Sequence, residues 1–131
     1  MIDLSKEVGN ILDEYTDEVI EVTNKAINKV AYNSVKKLKT AGDFKDRTGR
    51  YRKSWNQKQG KGFMGVTPRV VYNSKYYRLT HLLEYGHATR NGGRARAYPH
   101  IEPVEKEGVK ELEQEIRKGL RWLPNNNYIK V

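Results

Sequence analysis

Three histidines and one isolated carboxylate fall within twenty residues of each other: His81, Glu84, His87 and His100. Imidazole and carboxylate together are the groups of zinc sites and of general acid–base catalysis. The spacing is H-x-x-E-x-x-H, and on a helix His81 and Glu84 share a face one turn apart. The zinc-protease patterns H-E-x-x-H and H-x-x-E-H are both absent, and Gly86 is placed to end the helix before His87. No aspartate occurs from Thr48 to Val131, so a magnesium site would need glutamates from the last helix. A His-dependent metal hydrolase therefore stands against a structural joint. In the joint reading, Leu79, Leu82 and Leu83 face a sheet and Glu84 pairs with Arg94 or Arg96. Nucleophilic and phosphate-cradling chemistry has less support: there is no cysteine, no G-x-S-x-G and no Walker or G-x-G-x-x-G loop.

The elements that position these groups follow from periodicity. Asp3 to about Lys39 reads as one long helix, with Leu4, Val8, Ile11, Tyr15, Val19, Val22, Ala26 and Val30 stepping by three and four residues. At about 1.5 Å per residue it is on the order of 55 Å long. That is more stripe than so small a domain covers, so part of it is expected to meet another subunit. A basic loop spans Asp43–Gly49. Arg50–Gln59 reads as a strand, Gly60–Gly62 as its hairpin turn, and Phe63–Thr67 with Arg69–Asn73 as its continuation, Pro68 marking an edge or break. Tyr76–Tyr85 is a short helix with Gly86 as a left-handed cap, and Ala88–Tyr98 a loop. Glu102–Leu120 is a second good helix, with Pro103 tolerated in its first turn. Tyr128–Val131 is expected to add an edge strand. The sum is one α+β domain over residues 1–131: a long N-terminal helix on a small, mainly antiparallel sheet, a short helix after the strands, and a second long helix near the C-terminus.

Charge is segregated along the chain. Met1–Asn24 carries seven acids and one base, Lys25–His100 eighteen bases and three acids, and Ile101–Val131 six of each. Such polarity suits nucleic-acid contact, or contact between the acidic part of one subunit and the basic part of the next. The basic middle places Arg47, Arg50, Arg52, Lys53, Lys58 and Lys61 around Tyr51 and Trp55, a set able to meet phosphates and stack on bases. No recognised reading module accompanies it, and a plain solvated sheet face explains the same residues. No apolar run is long enough for a membrane span, and the start M-I-D-L-S-K-E-V lacks a signal peptide's apolar block. A cytoplasmic protein without cofactor is the expectation.

Three motifs in order then carry a resemblance: T-G-R-Y-R-K-S at Thr48–Ser54, Y-Y-R-L-T-H-L-L-E-Y-G-H at Tyr76–His87, and P-H-I-E-P-V at Pro99–Val104. Together with the long first helix they resemble the small neck and tail-completion proteins of long-tailed bacteriophages and prophages. Asn91–Arg94 lengthens the loop after His87 relative to shorter members. The resemblance implies a structural, non-catalytic virion protein of the head–tail junction, assembled in the bacterial host cytoplasm. It implies a homo-oligomeric ring, neighbouring connector and tail proteins, and non-specific contact with passing DNA. Glu84, Gly86, His87, Pro99 and Pro103 would then form a structural joint. Arg47, Arg50, Arg52, Lys53, Arg94 and Arg96 would face DNA or a neighbouring subunit.

Overall fold

The apolar stripe of the first third folds as predicted into α1, Leu4–Leu38. The computed structural model describes residues 4–123, with side chains from Asp17 onward. The side chains of the stripe residues Leu4, Val8, Ile11 and Tyr15, and the strand expected at Tyr128–Val131, lie outside what is described. Beyond α1 come a single helical turn α2 (Arg50–Lys53), β1 (Trp55–Gln59), β2 (Arg69–Asn73) and α3 (Tyr77–Tyr85). Two short strands β3 (His87–Ala88) and β4 (Arg94–Ala95) precede α4 (Ile101–Arg121). Each pair of strands forms its own two-stranded antiparallel sheet. The architecture is the expected α+β one.

α4 runs antiparallel along α1 and covers much of its stripe. Lys37 pairs with Glu107 at 2.8 Å, and Lys29 with Glu115 at 2.9 Å. At the far end a Cβ on Gly119 would lie 2.5 Å from Val22 Cγ1, so the helices touch there through bare backbone. Ala26, Val30 and Ala31 of α1 are buried. Below it, Leu38, Phe44, Tyr51, Trp55 and Val104 make the buried core, joined by Val71, Leu83, Tyr98 and Ile101.

Two local expectations change. Arg50–Lys53 is helical, not the start of a strand: Gly49 sits at φ 73°, and the Lys53 and Ser54 amides donate to Gly49 and Arg50 carbonyls at 3.0 and 3.1 Å. Strand alternation would have put Lys53 on the face of Tyr51 and Trp55. A helical turn brings those two aromatics together, four residues apart, and leaves Lys53 in solvent.

The hairpin also reverses elsewhere than at Gly60–Gly62. Pairing continues past β1, with the Gly60 amide donating to the Pro68 carbonyl at 2.8 Å, as far as a bridge between Phe63 and Val66. The turn residues are Met64 (φ 51°) and Gly65 (φ 82°). Two positive φ values make the tight turn whose twist matches the strands.

Candidate functional site

The first turn of α4 has three amide hydrogens to satisfy, those of His100, Ile101 and Glu102, and no side chain of its own that caps them. Glu84, at the end of α3, does so from sixteen residues away. Its Oε1 accepts the His100 and Ile101 amides at 2.8 and 2.9 Å, and Oε2 accepts the Glu102 amide at 3.1 Å. The next residue, Pro103, has no amide hydrogen to satisfy. Every donor of that turn is thereby accounted for.

Burial alone would push the Glu84 carboxyl up, since it is 6% exposed. The three amide bonds, with the neighbouring His100, outweigh burial and hold it below its ordinary value. It stays ionised, and its negative charge sits at the positive end of a helix. Both oxygens are engaged, so the group can accept hydrogen bonds but has no proton to give.

Among the described residues His100 is the most enclosed side chain, 1% exposed. Its Nδ1 lies 2.7 Å from the Tyr98 carbonyl and 3.1 Å from Glu84 Oε1. Both neighbours only accept, so Nδ1 carries the hydrogen. In the neutral ring Nε2 is then an acceptor, and the Tyr51 hydroxyl donates to it at 2.8 Å. Phe44, Tyr51 and Trp55 meet the imidazole edge-on, with centroids 5.1, 5.8 and 6.2 Å away. Burial, and then the charge of Glu84, push the Tyr51 phenol well above its usual range. Asn73 ties in β2: its Nδ2 donates to the Tyr51 carbonyl at 2.9 Å, while its Oδ1 accepts the Tyr76 amide at 2.8 Å.

The glycine and prolines of the joint each have a local cause. Gly86 has the positive φ expected, 73°, but its ψ of 176° is extended rather than left-handed helical. A Cβ there would lie 2.6 Å from the Ala95 carbonyl. This conformation turns the chain straight from α3 into β3, where His87 pairs with Ala95. Pro99 lies exposed just before the His100 amide.

Several sequence expectations are corrected. Glu84 is paired with backbone amides, not with Arg94 or Arg96, because a helix N-terminus presents three converging donors. Arg94 reaches the Tyr85 carbonyl at 3.3 Å, and Arg96 pairs with Asp43 at 3.4 Å. Leu83 enters the core, whereas Leu79 and Leu82 are exposed. Tyr51 and Trp55 are buried and cannot stack on bases. Arg52 is not a surface contact either: its Nη2 donates to the Gly42 and Phe44 carbonyls at 2.7 and 2.9 Å, with its guanidinium over the Phe44 ring. Arg47, Arg50 and Lys53 remain exposed.

The histidines do not converge. His81 is exposed and stacked on Tyr85. His87 is half-buried on β3, and only His100 meets Glu84. Among the described residues no three His, Cys, Asp or Glu side chains are grouped to hold a metal ion. Asn73 is the joint residue that the sequence reading missed. Its signal was the N-S-K-Y segment, where an Asn side chain caps the turn that follows.

No protein-family model, curated protein or solved structure matches the chain.

Proposed function

We propose that this chain is a structural subunit of a long-tailed phage or prophage particle, a neck or tail-completion protein that assembles with its own copies into a ring at the head–tail junction. One observation carries the reading. The three motifs behind the resemblance, far apart in sequence, supply Tyr51, Glu84 and His100 to one interlocked buried network. Each is engaged in holding elements together: Tyr51 for the α2–β1 segment, Glu84 for α3 and His100 for α4. Such a joint gives a small domain the stiffness that a stacked assembly requires.

The test is microscopy of the particle. After induction of the strain that encodes the chain, an antibody against it should label virions at the head–tail junction. Label that never enters particles overturns the reading.

One observation favours a second reading, a nucleic-acid-binding module. Arg50, Lys53 and Lys75 line a cleft of about 240 Å³ together with Ser54, Ser74 and Tyr76, with no acid in its wall. Phosphates of any sequence would suit it. Binding to duplex DNA should fall steeply with salt and be lost in the Arg50→Ala/Lys53→Ala/Lys75→Ala variant. No binding at low salt removes this reading.

A further inference from the structure

The β1–β2 hairpin ends in two apolar side chains with nothing over them. Phe63 is 61% and Met64 87% exposed. Met64 also holds a positive φ of 51°, a conformation that non-glycine residues adopt at a cost. The turn is nonetheless firmly placed. Asn24 of α1 donates to the Gly65 carbonyl at 3.0 Å and accepts the Thr67 amide at 2.9 Å. Gly65 lies so close to Ile20 that a Cβ there would sit 3.1 Å from it. A strained, clamped turn thus carries two large apolar groups into solvent, an arrangement typical of a site that meets a partner.

The same molecule carries an apolar groove of about 460 Å³ between β2 and α4, floored by α1. Leu38, Trp55, Val71, Val104, Val109 and Leu112 supply its apolar wall. Trp55 is 5% exposed, and its indole Nε1 has no acceptor among the described residues. A buried donor without an acceptor costs free energy until one arrives. The Met64 carbonyl at the hairpin tip accepts no hydrogen bond among the described residues.

The tip cannot fill its own groove. Asn24 fixes it about ten residues up α1 from Ser34 at the groove floor, a separation of about 15 Å along the helix. A second copy can. Charge agrees: residues 56–67 carry Lys58 and Lys61 and no acid. The groove wall carries one base, Arg69, drawn to Asn28 Oδ1 at 3.1 Å, and one acid, Glu105, outside the ion pairs that Glu102, Glu107, Glu111 and Glu113 form.

We propose that the Phe63–Met64 hairpin tip of one copy seats in the groove between β2 and α4 of the next, with Lys61 facing Glu105. Knob and hole are different surfaces, so the contact is head-to-tail and propagates into a ring or a filament. This rests on the self-assembly reading above and names the contact that performs it.

Sedimentation of the full chain tests it. The wild type should associate as concentration rises. A knobless variant (Phe63→Ser, Met64→Asn) and a blocked-groove variant (Val109→Glu) should each need at least about tenfold more protein to associate. Mixed one to one, the two should form pairs and nothing larger, because the mixture holds one intact knob species and one intact groove species. Lys61→Glu and Glu105→Lys should each weaken association, and the double variant should recover it. These last two lie on the surface and report even if a groove variant misfolds. Folded variants that all associate like the wild type overturn this contact while leaving self-assembly intact. A wild type that stays monomeric at every concentration overturns both.

Discussion

The Tyr51 hydroxyl and His100 Nε2 lie 2.8 Å apart across a gap of 49 residues, in a pocket of aromatic edges closed to water. Replacing Tyr51 by Phe keeps the ring and removes only the hydroxyl, leaving a buried ring nitrogen without its donor. Stability should fall by about 1–3 kcal/mol, read from the denaturant midpoint at unchanged slope. A loss under about 0.3 kcal/mol would mean that this bond is not formed.

Glu84 should be the most sensitive polar position. Glu84→Ala strands three amides at the start of α4 and should cost at least about 2 kcal/mol. Glu84→Gln keeps one acceptor oxygen and should cost less. Equal effects of the two would argue that the amides find other partners.

The same residue sets an acid limit. Its folded pKa lies below the ordinary value of 4.5, so its contribution is complete above that value. It is lost as pH falls through the folded value, where the unfolded state takes up the proton first. Acid unfolding should be shallower in Glu84→Gln than in the wild type. Tyr51 sets the alkaline limit by the opposite sign: its raised pKa gives stability below about pH 10 that is lost above it.

Gly86→Ala should destabilise by about 1–3 kcal/mol, from a positive φ with extended ψ and from contact with the Ala95 carbonyl. Gly92→Ala is the useful comparison: it shares a positive φ but has open space around it. If the two cost the same, backbone conformation alone accounts for Gly86.

On α3, Leu83→Ala should cost roughly 2 kcal/mol, the low end for a core leucine because it is only partly enclosed. Leu82→Ala, at a side chain 41% exposed, should stay within about 0.5 kcal/mol. Chemical denaturation of both variants checks the orientation of the helix.

The long helices were legible because a stripe at three- and four-residue steps has few other solutions. α4 was placed to within one residue at each end. Arg50–Lys53 was not, because Tyr51 and Trp55 sit four apart, a spacing that puts them on one side of a strand and of a helical turn alike. Only the cost of burying Lys53 separates the two, and that depends on a core assembled from elsewhere. The hairpin turn was misplaced because G-K-G offers more glycine than M-G, yet the Asn24 clamp holds the latter. The need of Glu84 for a partner was legible, and Arg94 and Arg96 were the candidates in reach. Its actual partners could not be read, since they belong to a helix end sixteen residues on.

The last helix borrows its cap. A fragment beginning at His100 would carry all of α4's sequence and still fray at its first turn, because the anchoring carboxylate belongs to α3. Fraying of α3 therefore unlatches the first turn of α4, so the end of one helix and the start of the next open together.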